Sequence, residues 1–69
     1  MILDRYPELR QMVVNTKTGH AFRGVLWRRR RGYLVLRNAE MLRPGGEAVA
    51  MDGELVIERE NVDFLQVLN

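Results

Sequence analysis

The sequence predicts a mainly β protein, a small and strongly bent five-stranded antiparallel barrel with a short N-terminal α-helix. Three observations predict this fold. Short segments alternate between apolar and polar residues, turn residues recur about every eight to twelve positions, and a glycine interrupts one alternating segment. The chain has 69 residues, so we expect a single domain over residues 1–69. A core of this size is marginal, and self-association is a common remedy.

The first predicted element is a helix at about residues 4–12. Asp4 is a suitable N-cap, and Pro7 falls in the first turn, where its missing N–H is not needed. Apolar residues three to four positions apart would form one stripe on this helix: Ile2, Tyr6, Leu9 and Val13. We expect the stripe to cover one open end of the barrel.

Five strands are predicted after the helix, at about residues 12–17, 20–28, 33–42, 47–58 and 62–68. Gly19 and the Pro44–Gly45–Gly46 segment supply turns between them. Gly24 lies in the middle of the second strand, which predicts a sharp bend or a close backbone approach. Gly53 marks a bulge within the fourth strand.

The second and third strands are predicted to form a hairpin. If Trp27 pairs with Tyr33, then Leu26 lies opposite Leu34 on the core-facing side. The arginines between the strands then form a short loop, which Gly32 would end in the left-handed conformation.

Charge is unevenly distributed along the chain. Residues 1–43 hold ten Lys and Arg residues against three acids, a net charge of +7, whereas residues 44–69 hold Arg59 against six acids, a net charge of −5. Such an asymmetry is typical of a nucleic-acid surface. It is equally typical of a basic edge that meets an acidic edge on a second copy. A GC-rich genome would also raise the arginine content without any function.

Four consecutive arginines at the predicted hairpin, called the arginine run below, are the candidate nucleic-acid-binding residues: Arg28, Arg29, Arg30 and Arg31. Arginines bind phosphate without reading sequence. The alternatives are a solvated hairpin tip and a contact with an acidic protein neighbour. Trp27 and Tyr33 flank the run, either as stacking platforms for bases or as a cross-strand aromatic pair.

Two segments in this order resemble the two motifs of the Sm/LSm/Hfq family, whose fold is a small SH3-like barrel. The first motif, Sm1, is matched by Gly19, Phe22, Gly24, Leu26, Leu34, Leu36, Asn38 and Ala39. The second motif, Sm2, is matched by Leu55, Ile57, Asn61, Val62 and Leu65. The resemblance covers residues 12–68.

The resemblance implies a homo-oligomeric ring of six or seven subunits that binds RNA around its pore. The fourth strand of one subunit would pair with the fifth strand of the next. The implied interface residues are Leu55, Ile57, Asn61, Val62, Phe64, Leu65 and Val67. From the residues alone, the terminal apolar strand is an unprotected edge that invites pairing with another chain.

The chain also departs from the family motifs. The loop that normally carries an Asp and an Asn near the bound base holds the arginine run here, and it is about one residue short. Sm2 normally has Arg-Gly after its isoleucine, whereas Glu58–Arg59 follows Ile57 in this chain. The family's uridine pocket is therefore not matched residue by residue.

Several classes of function are not expected. His20 is the single histidine and there is no cysteine, so the sequence predicts no metal site and no disulfide. No nucleophile–base set is present, and we expect neither an enzyme nor a cofactor nor a small-molecule substrate. Apolar runs are short and the N-terminus lacks a signal-peptide pattern, which predicts a cytoplasmic protein without a membrane span.

Two functions remain as hypotheses. The first is a ring-forming Sm-like protein that binds RNA or single-stranded nucleic acid through a basic face. The second is a structural, assembly or adaptor module, for example of a bacteriophage, in which the same ring makes protein contacts. In that case the protein would act in the host cytoplasm or the virion.

Overall fold

A computed structural model describes residues 9–68 of the chain, and it confirms a mainly β protein built on a bent antiparallel sheet. The strands are β1 (Gln11–Thr16), β2 (Ala21–Arg29), β3 (Tyr33–Leu42), β4 (Ala48–Ala50), β5 (Glu54–Glu58) and β6 (Val62–Val67). A 3-10 turn at Arg59–Asn61 joins β5 to β6.

The strands follow the order β4–β3–β2–β1–β6, and all pairs are antiparallel. The strand β5 also pairs with β3, on residues 33–37, whereas β4 pairs with residues 40–42 of the same strand. The described sheet therefore has two outer edges. One is formed by β4 and β5, and the other by β6.

The predicted fourth strand, 47–58, is divided into β4 and β5. Gly53 separates the two with a φ of 76°, a left-handed conformation that glycine adopts at little cost. The sequence predicted a bulge within one strand at Gly53, whereas the structure has a break between two strands there. The Met51 amide still donates a 2.9 Å hydrogen bond to the Ala39 carbonyl, so the chain stays beside β3 through the interruption.

The core lies on the concave side of the sheet, and it is built from alternating positions of the strands. Its buried members are Met12, Val14, Leu26, Leu34, Leu36, Ala39, Ile57 and Val62. Phe22, Leu55 and Leu65 pack against this cluster while remaining partly accessible. The predicted core-facing side of β2, with Phe22, Gly24 and Leu26, is confirmed.

At Gly24 the backbones of β2 and β3 lie very close together. A Cβ at this position would lie 3.0 Å from the Arg37 carbonyl oxygen and 3.1 Å from the Ala39 Cα. The register of the two strands shifts at this point, and Asn38 opposite it adopts a φ of 52°. The close approach predicted from the sequence is therefore present, and it lies at a bulge that bends the sheet.

The predicted N-terminal helix at 4–12 is wrong in its second half. Leu9 has a φ of 63°, its amide donates to the Leu26 carbonyl at 2.6 Å, and β1 already begins at Gln11. Val13 thus belongs to a strand and not to a helical stripe. Residues 4–8 lie outside the described part of the chain. Within residues 9–68, the 3-10 turn is the single helical segment.

Candidate nucleic-acid interface

The arginine run occupies the end of the β2–β3 hairpin. Arg28 and Arg29 still belong to β2 and pair with Val35 and Leu34, respectively. The turn itself spans residues 30–33 and is closed by a 2.8 Å hydrogen bond from the Arg30 amide to the Tyr33 carbonyl. This projecting position suits a group of charges, because Arg28, Arg30 and Arg31 remain exposed while the strands beneath them are paired.

The predicted register of the hairpin is wrong. Leu26 lies opposite Leu36, and the register shifts between Leu26 and Arg28, so Trp27 is an extra residue in a bulge. Trp27 and Tyr33 therefore do not form the predicted cross-strand pair. Tyr33 instead lies beside Glu58 of β5. Gly32 does not adopt the left-handed conformation expected of it.

Trp27 contacts an arginine outside the run. The Arg37 guanidinium carbon lies 3.9 Å from the centroid of the indole ring, a cation–π contact. Trp27 also borders an open cleft of about 350 Å³ together with Leu9, Arg28 and Arg30. One face of the ring is thus occupied, and the ring remains only partly accessible as a stacking platform.

Three arginines elsewhere in the described chain are paired with glutamates across strands or turns. Arg23 of β2 contacts Glu40 of β3 at 2.6 Å, and Arg37 of β3 contacts Glu54 of β5 at 2.8 Å. A third, looser pair of 4.0 Å joins Arg43 to Glu47 across the β3–β4 turn. These three arginines, Arg23, Arg37 and Arg43, are called the paired arginines below.

The hairpin end contrasts with this pattern. Arg28, Arg30 and Arg31 are exposed, and none of them has a carboxylate within ion-pair distance among residues 9–68. We call these three side chains the tip arginines. A cleft of about 390 Å³ at the tip is lined by Arg29, Arg30, Arg31 and Arg59 alone. The tip arginines therefore carry positive charge that no ion pair within residues 9–68 neutralises.

Arg59 is a member of this cluster that sequence reasoning did not assign to the site. It begins the 3-10 turn after β5, and its Nη1 donates to the carbonyl oxygens of Arg30 (3.4 Å) and Arg31. Its backbone amide donates to the Gly32 carbonyl at 3.0 Å. One signal could have drawn attention to it, because Arg59 is the single basic residue of the acidic segment 44–69.

The predicted interface residues fall into three groups by exposure. Two of them belong to the core, since Ile57 is 5% exposed and Val62 is 8% exposed. Leu55, Asn61 and Leu65 are half-buried. Phe64 and Val67 on β6 are accessible, with exposed fractions of 53% and 37%. In one protomer, β6 pairs with β1 along one side, and no strand among residues 9–68 covers its other side.

Val56 on β5 and Val49 on β4 are accessible apolar residues on the opposite edge, and the sequence-based interface set included neither. Val56 is 56% exposed and pairs with Val35, on the side of the sheet away from the core. Phe64 also faces away from the core, because its neighbour Leu65 pairs with the buried Val14. The two open edges thus each present a large apolar side chain on the same side of the sheet.

His20 lies at the start of β2, away from the arginine run. Its ring stacks on Phe22 with centroids 6.2 Å apart, and its Nδ1 lies 3.3 Å from the Thr18 hydroxyl. No group of three His, Cys, Asp or Glu side chains suitable for a metal ion occurs in residues 9–68. The same residues contain no helix that is long and apolar enough to cross a membrane.

Comparison with solved structures identifies the class of this fold. The chain is similar to a protomer in the crystal structure of a heptameric archaeal Sm protein, with a TM-score of 0.78 and 27% sequence identity, over 88% of each chain. No family model matches the sequence, and no curated protein matches it. The bent sheet with its bulge at Gly24 is therefore that of an Sm-like protein. The chain belongs to the Sm-like fold superfamily.

Proposed function

We propose that this protein assembles into a homo-oligomeric ring and binds RNA or single-stranded nucleic acid through the tip arginines. The observation that carries the proposal is the contrast in charge pairing. Arg28, Arg30 and Arg31 project from the hairpin end without carboxylate partners among the described residues, while the paired arginines are neutralised. Unpaired guanidinium groups on a projecting turn are suited to phosphate contacts.

The ring is supported by the two open edges of the sheet. Exposed backbone groups on an edge strand favour pairing with another chain. Here β5 and β6 lie at opposite edges and carry Val56 and Phe64 on the same side, so that head-to-tail pairing would bring these side chains together. The similar archaeal Sm protein is heptameric. A ring would repeat the tip arginines once per subunit and concentrate their charge.

The mode of binding proposed here is electrostatic and does not select uridine. The family's Asp and Asn are absent from the β2–β3 loop, and arginines replace them. Phosphate contacts position a strand without reading its bases. We therefore propose a binding protein rather than an enzyme, with affinity for the backbone of a single strand.

The proposal is tested by binding in a salt series, with the mass of the assembly measured in parallel. Fluorescently labelled oligo-U, oligo-A and single-stranded DNA are each titrated with the protein, and anisotropy is recorded between low and physiological salt. We expect similar affinities for all three probes and a log–log salt slope of about −2 if three phosphates are contacted per binding event. Absence of binding at low salt would remove the nucleic-acid function. Light scattering that shows a monomer at high concentration would remove the ring.

A second candidate function is a structural or assembly module that makes protein contacts. It is favoured by the acidic side chains that lie next to the tip. Glu58, Glu60 and Asp63 border a cleft of about 770 Å³ together with Lys17, Arg31 and Arg59. Neighbouring charges of opposite sign are suited to a complementary protein edge. Assembly without binding of any of the three probes would favour this function.

A further inference from the structure

We propose that Arg59 is a positioning residue that holds the β2–β3 turn, so that the tip arginines are presented as a fixed group. Only the predicted effect of Arg59 on binding rests on the proposed function. The clamp itself is a property of the hairpin end, and it can be measured without any ligand.

The contacts of Arg59 converge on the backbone of the turn. Its Nη1 donates to the carbonyl oxygens of Arg30 and Arg31, and its amide donates to the carbonyl of Gly32. Three consecutive carbonyl groups of the turn are thus satisfied by one residue that lies 28 positions or more away from the arginines in sequence. One further backbone hydrogen bond closes the turn, from the Arg30 amide to the Tyr33 carbonyl.

The side chain of Arg59 is suited to this role rather than to a direct phosphate contact. It is half-buried, its Nε lies out of contact with solvent, and Nη1 is occupied by the turn. Because the carbonyls of Arg30 and Arg31 accept these bonds, the turn keeps one backbone conformation while both side chains remain exposed. Repulsion among neighbouring guanidinium groups would otherwise favour a spread of conformations.

A fixed turn lowers the entropy cost of binding. Groups that are held in their binding arrangement lose less conformational freedom when a ligand is contacted. The number of phosphates contacted does not depend on Arg59 in this scheme. Loss of the clamp should therefore weaken binding while the slope of log affinity against log salt stays the same.

The test uses Arg59→Met, which removes the guanidinium donors but not the backbone amide, and Arg59→Lys, which keeps the charge. Arg43→Met is the matched control, because it removes one cation from an exposed turn at the far end of β3. Hydrogen exchange of the Arg30 amide is measured by NMR on the full chain, with the Leu36 amide as a reference for the folded core. We expect Arg59→Met to speed exchange at Arg30 about tenfold with little change at Leu36, and Arg43→Met to change neither.

Binding of labelled oligo-U is then measured over the same salt series. We expect Arg59→Met and Arg59→Lys to weaken binding about three- to tenfold with an unchanged salt slope, because a lysine keeps the charge but not the planar fork. A slope that falls by about 0.7 in Arg59→Met but is kept in Arg59→Lys, with normal exchange at Arg30, would identify a direct phosphate contact and overturn the inference. If the wild-type chain does not bind oligo-U, the proposed function fails, and unchanged exchange at Arg30 would still separately overturn the clamp.

Discussion

The same residue type has two different uses in this small sheet. The paired arginines, Arg23, Arg37 and Arg43, each lie within 4.0 Å of a glutamate, two of them across neighbouring strands. The tip arginines lie only a few residues away along β2 and the turn, yet none has a carboxylate partner in the described part of the chain. Arginine content alone would not distinguish the two groups.

The difference lies in where the acids of the C-terminal segment are placed. Because β5 pairs with residues 33–37 of β3, Glu54 lies directly beside Arg37. The same pairing places Glu58 beside Tyr33, one strand away from the arginines of the turn. Charge is neutralised by direct ion pairs along the strands, whereas the tip arginines have acidic neighbours in an adjoining cleft but no ion pair with them. The difference in net charge between residues 1–43 and 44–69 is therefore seen in the fold mainly as unpaired positive charge at one turn.

Removal of the tip charges should have the largest effect. The triple variant Arg28→Ala, Arg30→Ala and Arg31→Ala is expected to lose about 100-fold or more in affinity for a labelled single strand, with most of the salt dependence lost as well. The control is a triple glutamine variant of the paired arginines, which removes the same net charge and should keep most of the affinity. Equal losses in the two variants, measured by anisotropy, would mean that net charge matters and not the tip.

Disruption of the open edges should have the next largest effect, because a ring would bring several copies of the tip arginines to one strand. The double variant Val56→Ala and Phe64→Ala is expected to shift the protein from ring to protomer in light scattering, since the most exposed apolar side chain of each edge is lost. Affinity for a long single strand should fall by about tenfold or more through lost multivalency. Gln66→Ala, on the same strand, should leave the assembly intact. A ring that survives the double variant would place the subunit contact elsewhere.

A smaller effect is expected when an alanine replaces glycine near the paired arginines. Gly24→Ala would place a Cβ 3.0 Å from the Arg37 carbonyl oxygen, and backbone must move to admit it. We expect a loss of about 1–3 kcal/mol in the free energy of unfolding, as for other overpacked sites. Gly32→Ala is the matched control at the tip, where no atom lies within 4 Å of the new Cβ. Urea unfolding measures the free energy of unfolding of both variants. Equal values would show that the strands at Gly24 can admit a Cβ without cost.

The sequence predicted the strands well because alternation and glycine act locally. Gly24 indicated the close approach between β2 and β3 that the structure contains, and Gly53 indicated an irregularity that the structure shows as a break between β4 and β5. The register of the hairpin could not be predicted in the same way. The expected pair Leu26–Leu34 and the observed pair Leu26–Leu36 differ by two residues, which places the same side chains on the core side. Alternation cannot distinguish such registers, and the bulge at Trp27 leaves no mark in the pattern.

The site was predicted in part for similar reasons. A run of four arginines is visible in any sequence, whereas the contact between Arg59 and the turn depends on a packing between distant segments. The edge residues illustrate a further limit. Leu55, Val56 and Ile57 form an unbroken apolar run, so the sequence does not show which of them faces solvent. The sequence-based interface set included the core-facing Leu55 and Ile57 and omitted Val56, which is the exposed one.

The smallest effect is expected from a paired arginine itself. Arg37→Met removes the contact with Glu54 and the cation–π contact with Trp27. Both partners of the ion pair are nearly half exposed, so solvent screens the attraction and the pair contributes little. We expect the free energy of unfolding to fall by about 1 kcal/mol or less, with unchanged affinity for a single strand. Urea unfolding of Arg37→Met, Glu54→Gln and the double variant gives a double-mutant cycle. The coupling energy from this cycle separates the ion pair from the indole contact. A loss of affinity comparable with that of the tip triple would contradict the division of arginines into two groups, because Arg37 would then contact the strand directly.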